Sequence, residues 1–456
     1  MTVGRSPLRI DLNSLFQPAV KKGPKDLLEF EGSFKEIHQG IMALKKTGQL
    51  PYSVLPGDSI LRDQVLDLVQ KKSGYDNIVV LGIGGSALGA SSIKMALDGP
   101  YHHLLKDSSP RLFVLDHIEP LTLHELFVRL GNQKNLFVVI SKSGNTSETL
   151  AQTLLVKRYF KSVSPEDFVV ITDSEEGFLR SWVQKENIAS LPVPSGVGGR
   201  FSVFSPVGLF PLACSGVNIT ELLEGAHAME ELCHQAILAQ NPAGLLAMTL
   251  HHWMQAGSSQ MVLMPYADRL RLFSDWFAQL WGESLGKEHS LDGQKINLGS
   301  TPIKATGVTD QHSQLQLYLD GPYDKIIGLV EVEDFGVDGS LSEDFISDER
   351  IDFLKGRSLL ELQAAELNAT QASLTENQRP NFRLSLAQIN EYQLGQLYQL
   401  FMNVIPYMGA LMNINPFDQP AVEKIKRYTF GLMGKNGFLD YKEKYEFQNK
   451  REDLIF

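Results

Sequence analysis

Seven consecutive small or polar residues, Ser141, Lys142, Ser143, Gly144, Asn145, Thr146 and Ser147, follow an apolar run that ends at Ile140. At a strand end, such residues offer a phosphate three things at once: hydroxyl donors, backbone N–H groups and the positive end of a helix dipole. Lys142 adds one formal charge. The competing reading is a helix cap, with Asn145 or Thr146 as the capping residue and Glu148 in the first turn.

A second loop favours the phosphate. The stretch VVLGIGGSALGASSIK starts at Val79 and places Gly82, Gly84 and Gly85 before Ser86, so a backbone can approach a ligand closely at another strand end. It also fits the outline of a dinucleotide fingerprint, with Ala87 in the last position. The acidic residue that a dinucleotide ribose needs about 20 residues further on is poorly matched, because Asp116 lies well beyond that distance. Phosphate fits better than dinucleotide.

The elements that hold these loops read as a doubly wound α/β domain. From Asn77 to Pro194 the short runs NIVVLGIGG, RLFVLD, LFVVISKSG, DFVVITDS and ASLPVP alternate with amphipathic stretches. Continuous Val/Ile/Leu runs of this kind indicate parallel strands covered on both faces. A second set, QMVLMPY from Gln260 and DKIIGLVEVE from Asp324, flanks a helical pattern from Arg269 to Leu285. Residues 358–410 and the last forty read as helical. The expected order is an N-terminal helical segment over 1–50 that packs on the larger domain, a smaller α/β domain over 51–195, a larger one over 196–395 and C-terminal helices over 396–456.

Composition narrows the function. The chain has 456 residues and a net charge of -11, which excludes a general attraction to nucleic acid or to an anionic membrane. A bound anion must be held locally. Cys214 and Cys233 fit neither a metal spacing nor a disulfide framework, so no metal is expected and a reducing compartment is. The N-terminus has no apolar h-region, and a cytoplasmic protein is expected. The apolar stretch from Leu397 contains Gln399, Asn403, Pro406 and Asn413, which makes it a buried helix rather than a membrane span.

Five stretches in order, LGIGGSALG, ISKSGNTSET, VGGRFSVFSPVG, LWGESLGK and FDQPAVEKIK, resemble the phosphoglucose isomerase family, which is built on sugar isomerase domains. The resemblance covers roughly residues 70 to 430. It implies two doubly wound sugar isomerase (SIS-type) domains of unequal size with parallel sheets, wrapped by terminal helices. It implies interconversion of glucose 6-phosphate and fructose 6-phosphate with no cofactor, in glycolysis and gluconeogenesis, by a homodimer whose active site lies at the subunit interface.

By the same resemblance, Glu283 carries the proton between C2 and C1, and Arg200, after Gly198 and Gly199, stabilises the enediolate. His312 opens the sugar ring from the neighbouring subunit, and Lys426 acts beside the ring oxygen, two helical turns on from Gln419 along one face. Gly85, Ser86, Ser141, Lys142, Ser143, Thr146, Gly199 and Gln419 hold the substrate. The family has glycine where this chain has Ala421, and many members have threonine where it has Ser143. His102, His103, His251, His252 and His289 read as ordinary histidines. The alternatives are a noncatalytic sugar-phosphate sensor, an isomerase that also accepts mannose 6-phosphate and, weakest, a nucleotide-dependent enzyme.

Overall fold

The computed structural model describes residues 5–102 and 110–446. A three-residue strand, β1 (Arg9–Asp11), comes first. Then β2 (Asn77–Leu81), β3 (Arg111–Leu115), β4 (Asn135–Ser141), β5 (Phe168–Thr172) and β6 (Ala189–Pro192) form a five-stranded sheet in the order β3-β2-β4-β5-β6. Every pairing in it is parallel. Strand β2 sends Ile78 and Val80 into the central core, and Val79 and Leu81 into a second cluster with Phe127, Phe137, Val156 and Leu179. Burial on both faces is why these runs are apolar throughout rather than alternating.

The strand order fixes where a ligand belongs. The chain leaves β2 for β3 on one side and returns to β4 on the other, so the topological switch lies between β2 and β4. Residues 82–86 and 142–146 leave the carboxyl ends of those two strands. Both loops therefore open on the crevice that such a switch creates.

The second sheet starts with β7 (Gln260–Pro265). A small antiparallel pair, β8 (Lys287–His289) and β9 (Lys295–Leu298), precedes β10 (Thr301–Lys304), β11 (Lys325–Asp334) and β12 (Asn381–Gln388). The order is β1-β12-β11-β7-β10, parallel except for β1, which runs antiparallel along β12. The architecture is thus two doubly wound α/β units with helices packed around them.

Two readings need correction. Residues 358–410 are not wholly helical: β12 separates the helix Leu359–Glu376 from the helix Glu391–Leu411. Its signal is alternation, with Phe382, Leu384 and Leu386 entering the core between Arg383 and Ser385. The N-terminal segment also supplies β1, which is too short to show a period.

The helix Glu391–Leu411 is buried without a break from Gln393 to Gly409 and packs against the helices Ile219–Cys233 and Pro242–Gln255. Its polar residues have partners. Gln399 and Asn403 donate to Glu230 at 2.6 and 2.7 Å, and Lys45 from the helix Leu28–Lys46 closes the cluster at 2.5 Å. Among the described residues, no helix is long and apolar enough to cross a membrane. Cys214 and Cys233 are free and buried. The helices Ala421–Leu432 and Leu439–Glu446 pack on each other as a hairpin, joined by Tyr428–Tyr441 and Phe430–Phe438 ring contacts.

Candidate active site

The polar loop after β4 is not a side-chain cap. The helix Ser147–Tyr159 starts with Thr146 in the cap position, yet the Thr146 side chain makes no capping hydrogen bond. Its hydroxyl lies 2.8 Å from that of Ser141, and Asn145 Oδ1 accepts from the backbone of Phe178 at 3.1 Å. Neither side chain satisfies the helix's first N–H groups, which leaves them at the positive end of the helix dipole, where an anion is favoured. Gly144 makes the turn with φ +65°. Lys142 and Ser143 lie at its tip, with Lys142 exposed.

The glycine loop meets the loop that carries Arg200. A Cβ on Gly85 would lie 2.2 Å from the carbonyl carbon of Gly199, so only glycine allows this approach. Ser202 Oγ sits 2.6 Å from Gly199 O and 3.3 Å from Gly85 O, bridging the two turns. Ser86 ends the short turn Gly84–Ser86 and is half-buried. Phe201 stacks on Tyr52 and tilts against Phe417, which fixes the backbone beside Arg200.

Arg200 is the hub. Its side chain is only 2% exposed and donates five hydrogen bonds: Nε to Ser284 Oγ (2.8 Å), Nη1 to Gln419 Oε1 (2.8 Å) and Glu283 Oε2 (3.3 Å), Nη2 to Pro416 O (2.6 Å) and Asp418 O (3.2 Å). Burial lowers its pKa and Glu283 pulls it back, but a guanidinium stays charged at any working pH. Glu283 lies in the last turn of the helix Arg271–Leu285, with its side chain 33% exposed and so open to a ligand. Gln279, one turn earlier, donates to Glu283 Oε1 at 3.0 Å.

Sequence reasoning missed Gln279 and Ser284. Their only signal is position: Gln279 precedes Glu283 by four residues and so shares its helix face, and Ser284 is its neighbour. The structure joins Arg200, Glu283 and Gln419, and it sets Gly85 against Gly199.

Among the described residues, Lys426 and His312 make no hydrogen bond or ion pair with that group within the single chain. Lys426 is exposed and pairs with Glu423 at 2.6 Å. It is not two turns on from Gln419 along one helix, because the helix Ala421–Leu432 starts after Pro420 and Gln419 lies outside it. His312 is exposed at the end of the short turn Thr309–His312, while its neighbour Gln311 turns inward to donate to Tyr266 Oη at 2.8 Å. Of the other histidines, His251 contacts Gln255 one turn on, His252 lies 3.1 Å from the carbonyl of Lys22 and His289 lies beside Glu288. His103 lies outside the described residues.

The model of the family described as phosphoglucose isomerase matches residues 70–432. The chain belongs to that family. A glucose-6-phosphate isomerase from Carboxydothermus hydrogenoformans is 37% identical, over 98% of this chain and 97% of that protein. One from Thermus thermophilus is 36% identical, over 82% and 88%. A crystal structure of a hypothetical protein, also from Thermus thermophilus, superposes with a TM-score of 0.84 at 33% identity, covering 94% of this chain and all of that one. The glucose-6-phosphate isomerase structure from Chlamydia trachomatis, at 24% identity and a TM-score of 0.71 over 84% of this chain and 77% of that one, shares the fold. The phosphoglucose isomerase match begins seven residues before β2 and ends with the helix Ala421–Leu432, so it spans the first sheet, every strand of the second except β1, and Arg200, Glu283 and Gln419.

Proposed function

We propose that this chain is an aldose–ketose isomerase of glycolysis and gluconeogenesis that interconverts D-glucose 6-phosphate and D-fructose 6-phosphate. One observation carries the reading: a half-buried carboxylate, Glu283, lies 3.3 Å from a buried guanidinium, Arg200, beside two phosphate-friendly loops at a topological switch. The reaction moves a proton between adjacent carbons through an enediolate. It needs a base open to the substrate and a permanent cation beside it.

In this reading the sugar's phosphate sits on Ser86 and Gly85 of the glycine loop and on Ser141, Lys142, Ser143 and Thr146 of the polar loop. That nonreacting group supplies binding energy that presents C1 and C2 to Glu283. Glu283 takes the proton from one carbon and returns it to the other. Arg200 stabilises the enediolate oxygen, while Gln419 and Gly199 line the same side. His312 and Lys426 serve ring opening. Among the described residues, neither has a hydrogen bond or ion pair to the Arg200–Glu283 group in the single chain, which supports a complete site formed in a homodimer, with His312 supplied by the neighbouring subunit.

Turnover of fructose 6-phosphate by the purified chain, followed as glucose 6-phosphate appears, tests the activity. Binding of the sugar phosphate without turnover would instead make the chain a sensor. The shared site has its own test: mixed Glu283→Gln and His312→Ala subunits regain a fraction of the parent rate after exchange. No regain in a mixture shown to have exchanged would place His312 and Glu283 of one site in one chain.

A further inference from the structure

Lys287 lies one helical turn beyond Glu283, and its side chain is only 6% exposed. An ammonium has three N–H donors, and three acceptors surround this one: Glu283 O at 3.0 Å, Asp418 O at 2.5 Å and Asp418 Oδ1 at 3.0 Å. The first belongs to the last turn of the base-bearing helix, where carbonyls lack an intrahelical partner and a cation is favoured. The other two belong to the segment that presents Gln419 to Arg200.

A plain helix-end lysine needs only the first of these bonds. Here the same nitrogen ties two segments of the site together, and Asp418 O also accepts from Arg200 Nη2 at 3.2 Å. Two buried cations thus hold the loop before Gln419 against the helix that carries Glu283. The helix with Lys426 departs from that same loop. Burial lowers the pKa of Lys287, and Asp418 pushes it back up.

We infer that Lys287 is a positioning residue for the isomerisation, locking the carboxyl end of the Glu283 helix to the Gln419 loop so that base and loop keep a fixed separation as the proton moves. The inference rests on the isomerase reading above. A misplacement of about 1 Å in such a site costs on the order of 100-fold in rate. The effect should fall on kcat, since Lys287 touches none of the proposed phosphate contacts.

The test uses the full chain as Lys287→Met, Lys287→Ala and Asp418→Asn, with kcat and KM for fructose 6-phosphate measured beside the parent and the thermal midpoint recorded for each. Lys287→Met should lower kcat about 100-fold with KM changed less than about threefold. Ethylammonium should restore at least about a tenth of the lost rate to Lys287→Ala and none to Glu283→Gln, a rescue expected only where a missing cation is the defect. The Asp418 side chain is half exposed, at 51%, so Asp418→Asn should fold like the parent and still lose kcat. It keeps the inference testable if the Lys287 variants misfold. Unchanged kcat in Lys287→Met or Asp418→Asn, or a loss spread equally over kcat and KM without rescue, would reduce Lys287 to a structural contact. A parent without turnover removes the isomerase reading and this inference together; an active parent beside unimpaired variants removes this inference alone.

Discussion

Gly85 and Gly199 touch through their backbones, one from the glycine loop after β2 and the other from the turn that carries Arg200. This joint fixes the proposed phosphate site relative to the guanidinium. Gly85→Ala would place a methyl 2.2 Å from the Gly199 carbonyl carbon, and backbone atoms cannot swing aside. The expected outcome is a folded protein, by circular dichroism, whose kcat/KM falls on the order of 100-fold as the two loops part. Gly199→Ala meets only Gly85 Cα, at 3.7 Å, so its thermal midpoint should stay near that of the parent.

Arg200 cannot be replaced by lysine without loss. A lysine offers three N–H donors where the guanidinium makes five bonds. Arg200→Lys should lower kcat by about 10²–10³. Stranding a buried carbonyl such as Pro416 O should also cost about 1–3 kcal/mol of stability, read as a lower thermal midpoint. Normal kcat in this variant would remove Arg200 from the chemistry.

The Ser141–Thr146 hydroxyl pair carries the phosphate proposal. Thr146→Val keeps the shape of the side chain and removes one donor. A lost hydrogen bond to a charged group is worth about 1.5–3 kcal/mol, so kcat/KM should fall about 10- to 100-fold. The thermal midpoint should barely move, because Thr146 does not cap the helix through its side chain. A large fall in the midpoint with unchanged kinetics would restore the capping role.

The first sheet was legible because its central strands β2, β4 and β5 are apolar runs buried throughout. β10 escaped because Thr301–Lys304 is short, contains Pro302 and is only partly buried. β12 escaped because Arg383 and Ser385 interrupt an apolar face between two helices. For the site, a motif specifies neighbours along the chain, and the fold brings the motif residues Arg200, Glu283 and Gln419 into one hydrogen-bonded group and Gly85 against Gly199. A motif does not specify what a surface helix packs against, so the spacing of Lys426 from Gln419 misled. Gln279 and Ser284 are single polar residues in an amphipathic helix, and no composition signal distinguishes them.

The buried Glu230 links stability to acid. Its side chain is 3% exposed. Burial opposes its ionisation, but hydrogen bonds and charge from His234, Lys45 and Asn403 outweigh it and hold the carboxyl near pKa 2, against an ordinary 4.5. A folded pKa below the unfolded one adds stability that is fully present above the unfolded value and is lost as pH falls through the folded one. The window here runs from pH about 4.5 down to about 2. The contribution is on the order of 3 kcal/mol. Glu230→Gln should lower the midpoint at pH 7, because Lys45 loses its counter-charge, and should flatten the acid dependence within that window in calorimetry. The same slope in both proteins would show that Glu230 titrates alike folded and unfolded.

The most direct measurement is kcat for fructose 6-phosphate isomerisation by Glu283→Gln beside the parent, with sugar-phosphate binding measured for both. The amide keeps the size of the side chain and one acceptor oxygen for Arg200 or Gln279, and it removes the negative charge and with it the ability to accept and return a proton. Fast turnover by the parent, with near-complete loss of kcat and retained binding in the variant, is the expected result. Substantial turnover by Glu283→Gln would contradict Glu283 as the proton carrier and send the search for the base elsewhere in the crevice.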